Sequence, residues 1–232
     1  MAKITKKVRV TKQEIKHDNI QDKIIESFGF FKTYAKQSVI AGIVIIVVVV
    51  MLNSYLTSKN KKEKGANIKL SYAINLIQSG NNQDALIAIN DIQTQYWGTS
   101  SAKESFYYKA LSEYNMHQYD KAEENARISL KNNKGNKFLY ASSSHLLGAI
   151  YEQNRKYEEA IKYYLPVNYK SIFDKITIPY SMYDAARCYE KLKKVEDAIS
   201  LFKTIEDDYS DCKIAVEANR KRMYLEALLS QI

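Results

Sequence analysis

Three histidines, two cysteines and a few acidic pairs are the side chains of this 232-residue chain that could make or break bonds, and their spacing denies them partners. His17, His117 and His145 stand far apart, outside any HExxH arrangement that would place two imidazoles on one helix face for a metal. Cys188 and Cys212 form no CxxC and neighbour no histidine at ligand spacing, so neither a zinc site nor a disulfide scaffold is encoded, and two free, partly buried thiols are expected. Glu158-Glu159 and Asp207-Asp208 flank a turn and a helix end, where solvated acidic faces are ordinary. GxxxxGK[ST], GxGxxG and GxSxG are absent, which removes the common phosphate cradles and the serine nucleophile elbow. No catalytic, cofactor-binding or metal-binding residue is expected, and no enzyme. What the chain holds in quantity is tyrosine, nineteen residues, a side chain that binds through rigid contact area.

The elements that would position those tyrosines follow from charge and periodicity. The formal charge is +9, but +5 of it lies in residues 1–37 and +3 in residues 59–64, leaving +1 for the remainder. Basic residues so confined suit a membrane surface rather than a nucleic-acid groove, and no nucleic-acid partner is expected. Between these segments, no charged residue occurs from Lys36 to Lys59, and Val39–Leu52 is apolar throughout. About 20 residues cross a hydrocarbon core of roughly 30 Å, so residues 38–56 are expected to form one uncleaved transmembrane helix. A cleaved signal peptide is disfavoured, because no A-x-A-like site follows the run. Before it, Ile15, Ile20, Ile24, Ile25, Phe28 and Phe31 recur near helical spacing in a basic amphipathic tail, residues 1–37. Residues 57–65 read as a Lys-rich linker and residues 66–232 as a folded domain.

In that domain a small residue is followed twelve positions later by alanine four times: Ala73 and Ala85, Ala110 and Ala122, Gly148 and Ala160, Ala186 and Ala198. A turn-like stretch separates each pair, so every unit reads as helix, tight turn, helix, with the small residues where the two helices cross. This resembles the tetratricopeptide repeat (TPR), and the third unit matches best, with Leu147, Gly148, Tyr151, Tyr157, Ala160 and Tyr164 at motif positions. The periods are 37, 38 and 38 residues against the motif's 34, and Glu113 replaces a usual apolar residue. The fold expected is all-α: a transmembrane helix, an α-solenoid of about four helical hairpins, and a capping helix over 211–230 with Ser210 as N-cap. Pro166 should shorten the third unit's second helix, and Pro179 should open the fourth unit's first. Trp97 is expected to plug the junction between the first two units.

The resemblance also implies a site. In TPR proteins the concave surface is lined by first helices, which here would present Leu70, Ile74, Tyr107, Leu111, Tyr114, His145, Tyr183 and Arg187 to a protein partner. Such a groove is apolar and aromatic in its first half and mixed in charge in its second. The layout of basic tail, anchor and about four repeats resembles the YfgM-like family, ancillary subunits of the SecYEG translocon. That resemblance implies a bacterial inner-membrane protein, N-terminus cytoplasmic and repeat domain periplasmic. Its partners would be translocon subunits, membrane-anchored folding factors and unfolded envelope clients. The alternative is a structural scaffold for a division, pilus or respiratory assembly with one fixed partner. The lysines after the anchor outnumber those just before it, so the orientation rests on the difficulty of translocating nine basic residues rather than on local charge.

Overall fold

The computed structural model describes residues 34–165 and 177–231, together with 23–24 and 28–29. The chain divides into two compact units, Met1–Ser58 and Lys59–Ile232. Among the described residues every regular element is an α-helix.

In the first unit, the opening part of α1 (Ala35–Gln78) carries the apolar run, and its large side chains from Val39 to Leu56 are exposed. α1 is the one helix among the described residues that is long and apolar enough to cross a membrane. Ile24 and Phe28 of the amphipathic tail are helical, while Ile15, Ile20, Ile25 and Phe31 lie outside the described residues.

The second unit is a series of antiparallel helix pairs. The last part of α1 pairs with α2 (Asn82–Gln95), α3 (Ser100–Asn115) with α4 (Tyr119–Asn132), α5 (Lys137–Gln153) with α6 (Tyr157–Tyr164), and α7 (Thr177–Lys191) with α8 (Val195–Asp208), before α9 (Lys213–Leu229) ends the stack. Ala73, Ala85, Ala110, Ala122, Ala160, Ala186 and Ala198 are wholly buried, and Gly148 is buried with them. The reason for a small residue is plainest at Gly148. A Cβ there would meet the Tyr164 ring at 2.7 Å, inside van der Waals contact, and Tyr164 is itself enclosed. Helix starts are capped where the chain offers a short polar side chain: Asn81, Thr99 and Asn136 accept from the backbone N–H of Asp84, Ala102 and Leu139.

Several boundaries differ from expectation. Residues 57–65 are helix rather than linker, because this stretch already packs on the first repeat: Gly65 lies under the Tyr96 ring, and Glu63 accepts from the backbone N–H groups of Ser100 and Ser101 at 2.9 and 3.0 Å. Those amides hold the Glu63 carboxyl below its ordinary range even though burial pulls the other way. The N-cap of α9 is Cys212, not Ser210. Pro179 is the third residue of α7, still in the first turn, where a missing N–H breaks no helical bond. α6 stops at Tyr164, and Pro166 lies outside the described residues. Both thiols are free; Cys188 is buried, and burial followed by the Glu152 carboxylate pushes it up to about 12, so it is no nucleophile at neutral pH.

Each hairpin turns through the same device. The second residue after the first helix has positive φ in all four units: Gly80 (82°), His117 (59°), Arg155 (59°) and Lys193 (60°). The next backbone N–H then reaches back to the carbonyl five residues earlier, at 2.8–3.0 Å from Asn81, Gln118, Lys156 and Lys194. A side chain in the left-handed region costs about 1–2 kcal/mol, against roughly 0.5–1 kcal/mol of unfolded-state entropy for glycine. Arg155→Gly and Lys193→Gly should therefore each stabilise the fold by about 0.5–1 kcal/mol, seen as a higher urea midpoint at unchanged slope. Unchanged midpoints in both would remove the strain argument.

Glu113 is 4% exposed, in a seam where the repeat motif favours an apolar side chain. Asn125 Nδ2 donates to its Oε2 at 2.8 Å. Burial raises the carboxyl, and Asn125, Lys109 and Lys121 oppose that only in part. A raised folded-state value means the carboxyl favours the fold most below the ordinary carboxylate range, an advantage lost as pH rises through the raised value. Glu113→Gln should accordingly melt higher than the parent at pH 7, with the gap closing towards pH 4. Equal melting temperatures across that range would contradict the burial cost.

Candidate functional site

Successive first helices, from the end of α1 through α3, α5 and α7 to α9, are joined by side-chain bonds that cross from one to the next. Gln153 Nε2 on α5 approaches the Tyr114 hydroxyl on α3 at 3.5 Å. Arg187 on α7 donates to both Glu152 oxygens on α5 at 2.8 Å, and His145 Nε2 on α5 lies 2.9 Å from Asp184 Oδ2 on α7. Tyr183 on α7 donates to Glu217 on α9 at 3.3 Å, and Lys221 on α9 pairs with Glu190 on α7 at 3.2 Å. This row of helices carries the residues that the repeat resemblance assigns to a partner.

The two halves of the row differ in chemistry. In the first half Ile74, Tyr107, Leu111 and Tyr114 are half-buried and no charged side chain replaces them. Leu70 departs from expectation: it is 2% exposed in a cluster with Ile92 and Ala102, so it packs the first hairpin and offers nothing to a partner. Tyr107 and Leu111 pack against a core of Ala110, Leu146, Leu147 and Ile150, leaving part of each ring or side chain outward. Tyr114 stands against Tyr119 with ring centres 5.6 Å apart. Beside it opens a shallow cavity of about 460 Å³ whose walls include Ile77, Asn82, His117 and Gln153. An aromatic edge with carboxamides around it suits an extended polypeptide, whose backbone groups need donors and acceptors and whose side chains need an apolar bed.

In the second half the charges are turned on one another. Arg187 also reaches Asp184 Oδ1 at 3.2 Å, and the Tyr164 hydroxyl donates to Glu152 at 2.8 Å, so His145, Glu152, Tyr164, Asp184 and Arg187 form one connected network. Tyr183 is half-buried, its ring 5.3 Å from Phe202, and burial followed by the Glu217 carboxylate pushes it up to about 12. His145, Tyr183 and Arg187 are thus engaged within the chain. All three stand on first helices; apart from the local Arg187–Asp184 pair, the partners named here are 34 to 39 residues away and carry no local signal.

Trp97 does not plug a junction. It is 79% exposed on the connection between α2 and α3, where its ring helps line a second cavity of about 310 Å³ with Phe106, Ala102 and Lys103. No three His, Cys, Asp or Glu side chains gather as a metal site among the described residues.

Comparison with known proteins agrees with the fold. A family model described as a tetratricopeptide repeat-like domain matches residues 29–175, and one described as a tetratricopeptide repeat matches residues 180–211. A solved structure of a kinesin light chain from Podosopora anserina, built of nearly identical TPR-like repeats, is similar at 16% identity with a TM-score of 0.58, over 71% of this chain and 87% of that one. MamA from Desulfovibrio magneticus RS-1, from residue 41 to its end, is similar at 17% identity with a TM-score of 0.51, over 70% of this chain and 95% of that one. No curated protein matches the chain.

The ion network predicts its own energetics. Glu152 and Asp184 are largely buried at their side chains while Arg187 is 41% exposed, so Arg187→Met strands two carboxylates in a half-solvated site and should cost about 1–2 kcal/mol, below the full buried-pair figure. Adding Glu152→Gln should recover much of that loss. Arg220→Ala, whose pair with Glu217 is solvated, should leave the melting temperature unchanged. Equal effects of Arg187→Met and Arg220→Ala would show that the network contributes nothing.

Proposed function

Because the chain belongs to the tetratricopeptide repeat-like domain family, we propose that it is a membrane-anchored protein-binding module whose inner row of helices holds segments of other proteins at a translocon or at envelope-protein assembly. The observation that carries this reading is the asymmetry of the inner row: an uncharged aromatic half around Tyr107, Leu111 and Tyr114, followed by a half whose charged side chains are paired with one another. A groove of that kind offers contact area and backbone hydrogen bonds without demanding a particular charge on its occupant, which suits chains of varied sequence. The anchor is assigned to residues 38–56, with the N-terminus cytoplasmic and the repeat domain periplasmic. The arrangement of basic tail, anchor and repeats is what supports the secretion setting.

The test places a photo-crosslinking benzoylphenylalanine at Tyr114 or, as a control, at Tyr224 on the exposed side of α9. Position 114 should give adducts with translocon subunits and with nascent envelope proteins, and Tyr114→Ala should weaken that association about tenfold, the size expected of an aromatic anchor. Adducts from position 114 with one folded protein alone would replace this reading with a fixed scaffold. Translocon adducts from position 224 only would show that the inner row is not the binding face.

A further inference from the structure

The lysines that follow the apolar run have a use that the protein-binding face does not explain. Lys59, Lys61, Lys62 and Lys64 are exposed, and among the described residues no carboxylate lies within ion-pair distance of any of them. Lys69, one turn further on, behaves differently, being spent on the repeat through Asp91 at 3.6 Å and Gln95 at 3.3 Å. At 100° per residue the four lysines spread around α1 as a collar rather than a stripe. Lys59 stands three positions after Leu56 and Lys64 eight, so at 1.5 Å per residue they occupy roughly the first 5–12 Å of helix beyond the apolar run. The headgroup layer is about 5–7 Å deep on each side of the hydrocarbon.

A second observation lies beside the collar. Lys62 Nζ donates to the Trp97 carbonyl at 3.1 Å, and Glu63 holds the start of α3 two residues after the Trp97-Gly98 turn through Ser100 and Ser101. The single tryptophan of the chain is thereby held next to the collar, largely exposed, bordering the cavity that Phe106 and Lys103 also line. An exposed indole is costly in water but favourable at the headgroup level, where its ring and its N–H both find partners. A cation collar with an adjoining outward indole is the chemistry of a surface that meets anionic phospholipid headgroups.

We infer that Lys59–Lys64 and the Trp97 turn form a docking site for an anionic bilayer surface, holding the entrance of the repeat domain against the membrane. The inference rests on residues 38–56 spanning that membrane. The attraction decays within a Debye length of about 8–10 Å, so the docking is strong at low salt and screened at high salt.

Trp97 reports on this directly, being the chain's one tryptophan. The full chain is reconstituted in nanodiscs of phosphatidylcholine, alone or mixed with phosphatidylglycerol, and Trp97 emission is followed with and without lipids brominated close to the headgroup. In anionic discs the emission should move to shorter wavelength and quenching should rise about twofold over phosphatidylcholine, falling back as salt is added. Lys59→Gln/Lys61→Gln/Lys64→Gln, which leaves the Lys62 bond to Trp97 intact, should reduce quenching to the phosphatidylcholine level. Quenching indifferent to lipid charge, salt and these lysines would overturn the inference, as would an equal emission shift on adding duplex DNA to phosphatidylcholine discs. A chain that fails to enter the discs at all would instead overturn the membrane-span reading, and would be seen before any fluorescence is recorded.

Discussion

The repeat domain depends on pairs of helices crossing at a distance that leaves no room for a side chain larger than a methyl group. Ala73, Ala85, Ala110, Ala122, Ala160, Ala186 and Ala198 are fully enclosed, and at Gly148 even the methyl is excluded by the Tyr164 ring. Close crossing obliges the chain to reverse in very few residues, which is why four consecutive hairpins place a left-handed residue at the same point, three of them without glycine. Backbone strain at His117, Arg155 and Lys193 is tolerated because burial along the crossings outweighs it.

With the hairpins so constrained, polar groups end up inside as well as out. Ser129 and Ser143 meet at 2.8 Å between α4 and α5, Ser143 also donates to the Leu139 carbonyl, and Asn133 donates to Ser129. These small side chains satisfy themselves on nearby helical carbonyls, so the helices stay close without stranding a donor. Larger polar side chains are shared between neighbouring hairpins, as with Arg127 of α4, which lies over the rings of Tyr151 and Tyr163 and donates to the Tyr163 hydroxyl at 2.9 Å. Stability in such a stack is nearest-neighbour, and each bond that crosses from one repeat to the next couples its unit to the following one. The row of first helices is both the binding face proposed here and a seam crossed by hydrogen bonds and ion pairs, most of them in its second half.

Some of this architecture was legible in the residue order because it is periodic. The spacing of twelve between small residues marked every crossing, the turn residue between them marked each reversal, and the uncharged interval from Lys36 to Lys59 marked the apolar helix. The errors fall where an element's fate depends on what lies across from it. Residues 57–65 look like a linker by composition, yet Glu63 finds two helix-start amides and Gly65 finds the Tyr96 ring. Leu70 occupies a groove position by register, yet α2 and α3 close over it through Ile92 and Ala102. Trp97 looks like a plug by size and stands outward.

The chain's own order determined that it is helical, where its hairpins cross and turn, and that one helix is apolar enough to span a membrane, because helical periodicity and the steric demand for alanine or glycine are local properties of the sequence. Tertiary structure alone decided what each inner-row side chain meets. Tyr183 meets Glu217, Arg187 meets Glu152, His145 meets Asp184 and Tyr114 meets Gln153 across 34 to 39 residues, while Leu70 is closed in by Ile92 and Ala102. The physical reason is that a helix face encodes its polarity but not its partner: the partner is chosen by how successive hairpins stack, and no periodicity within a single hairpin carries that information.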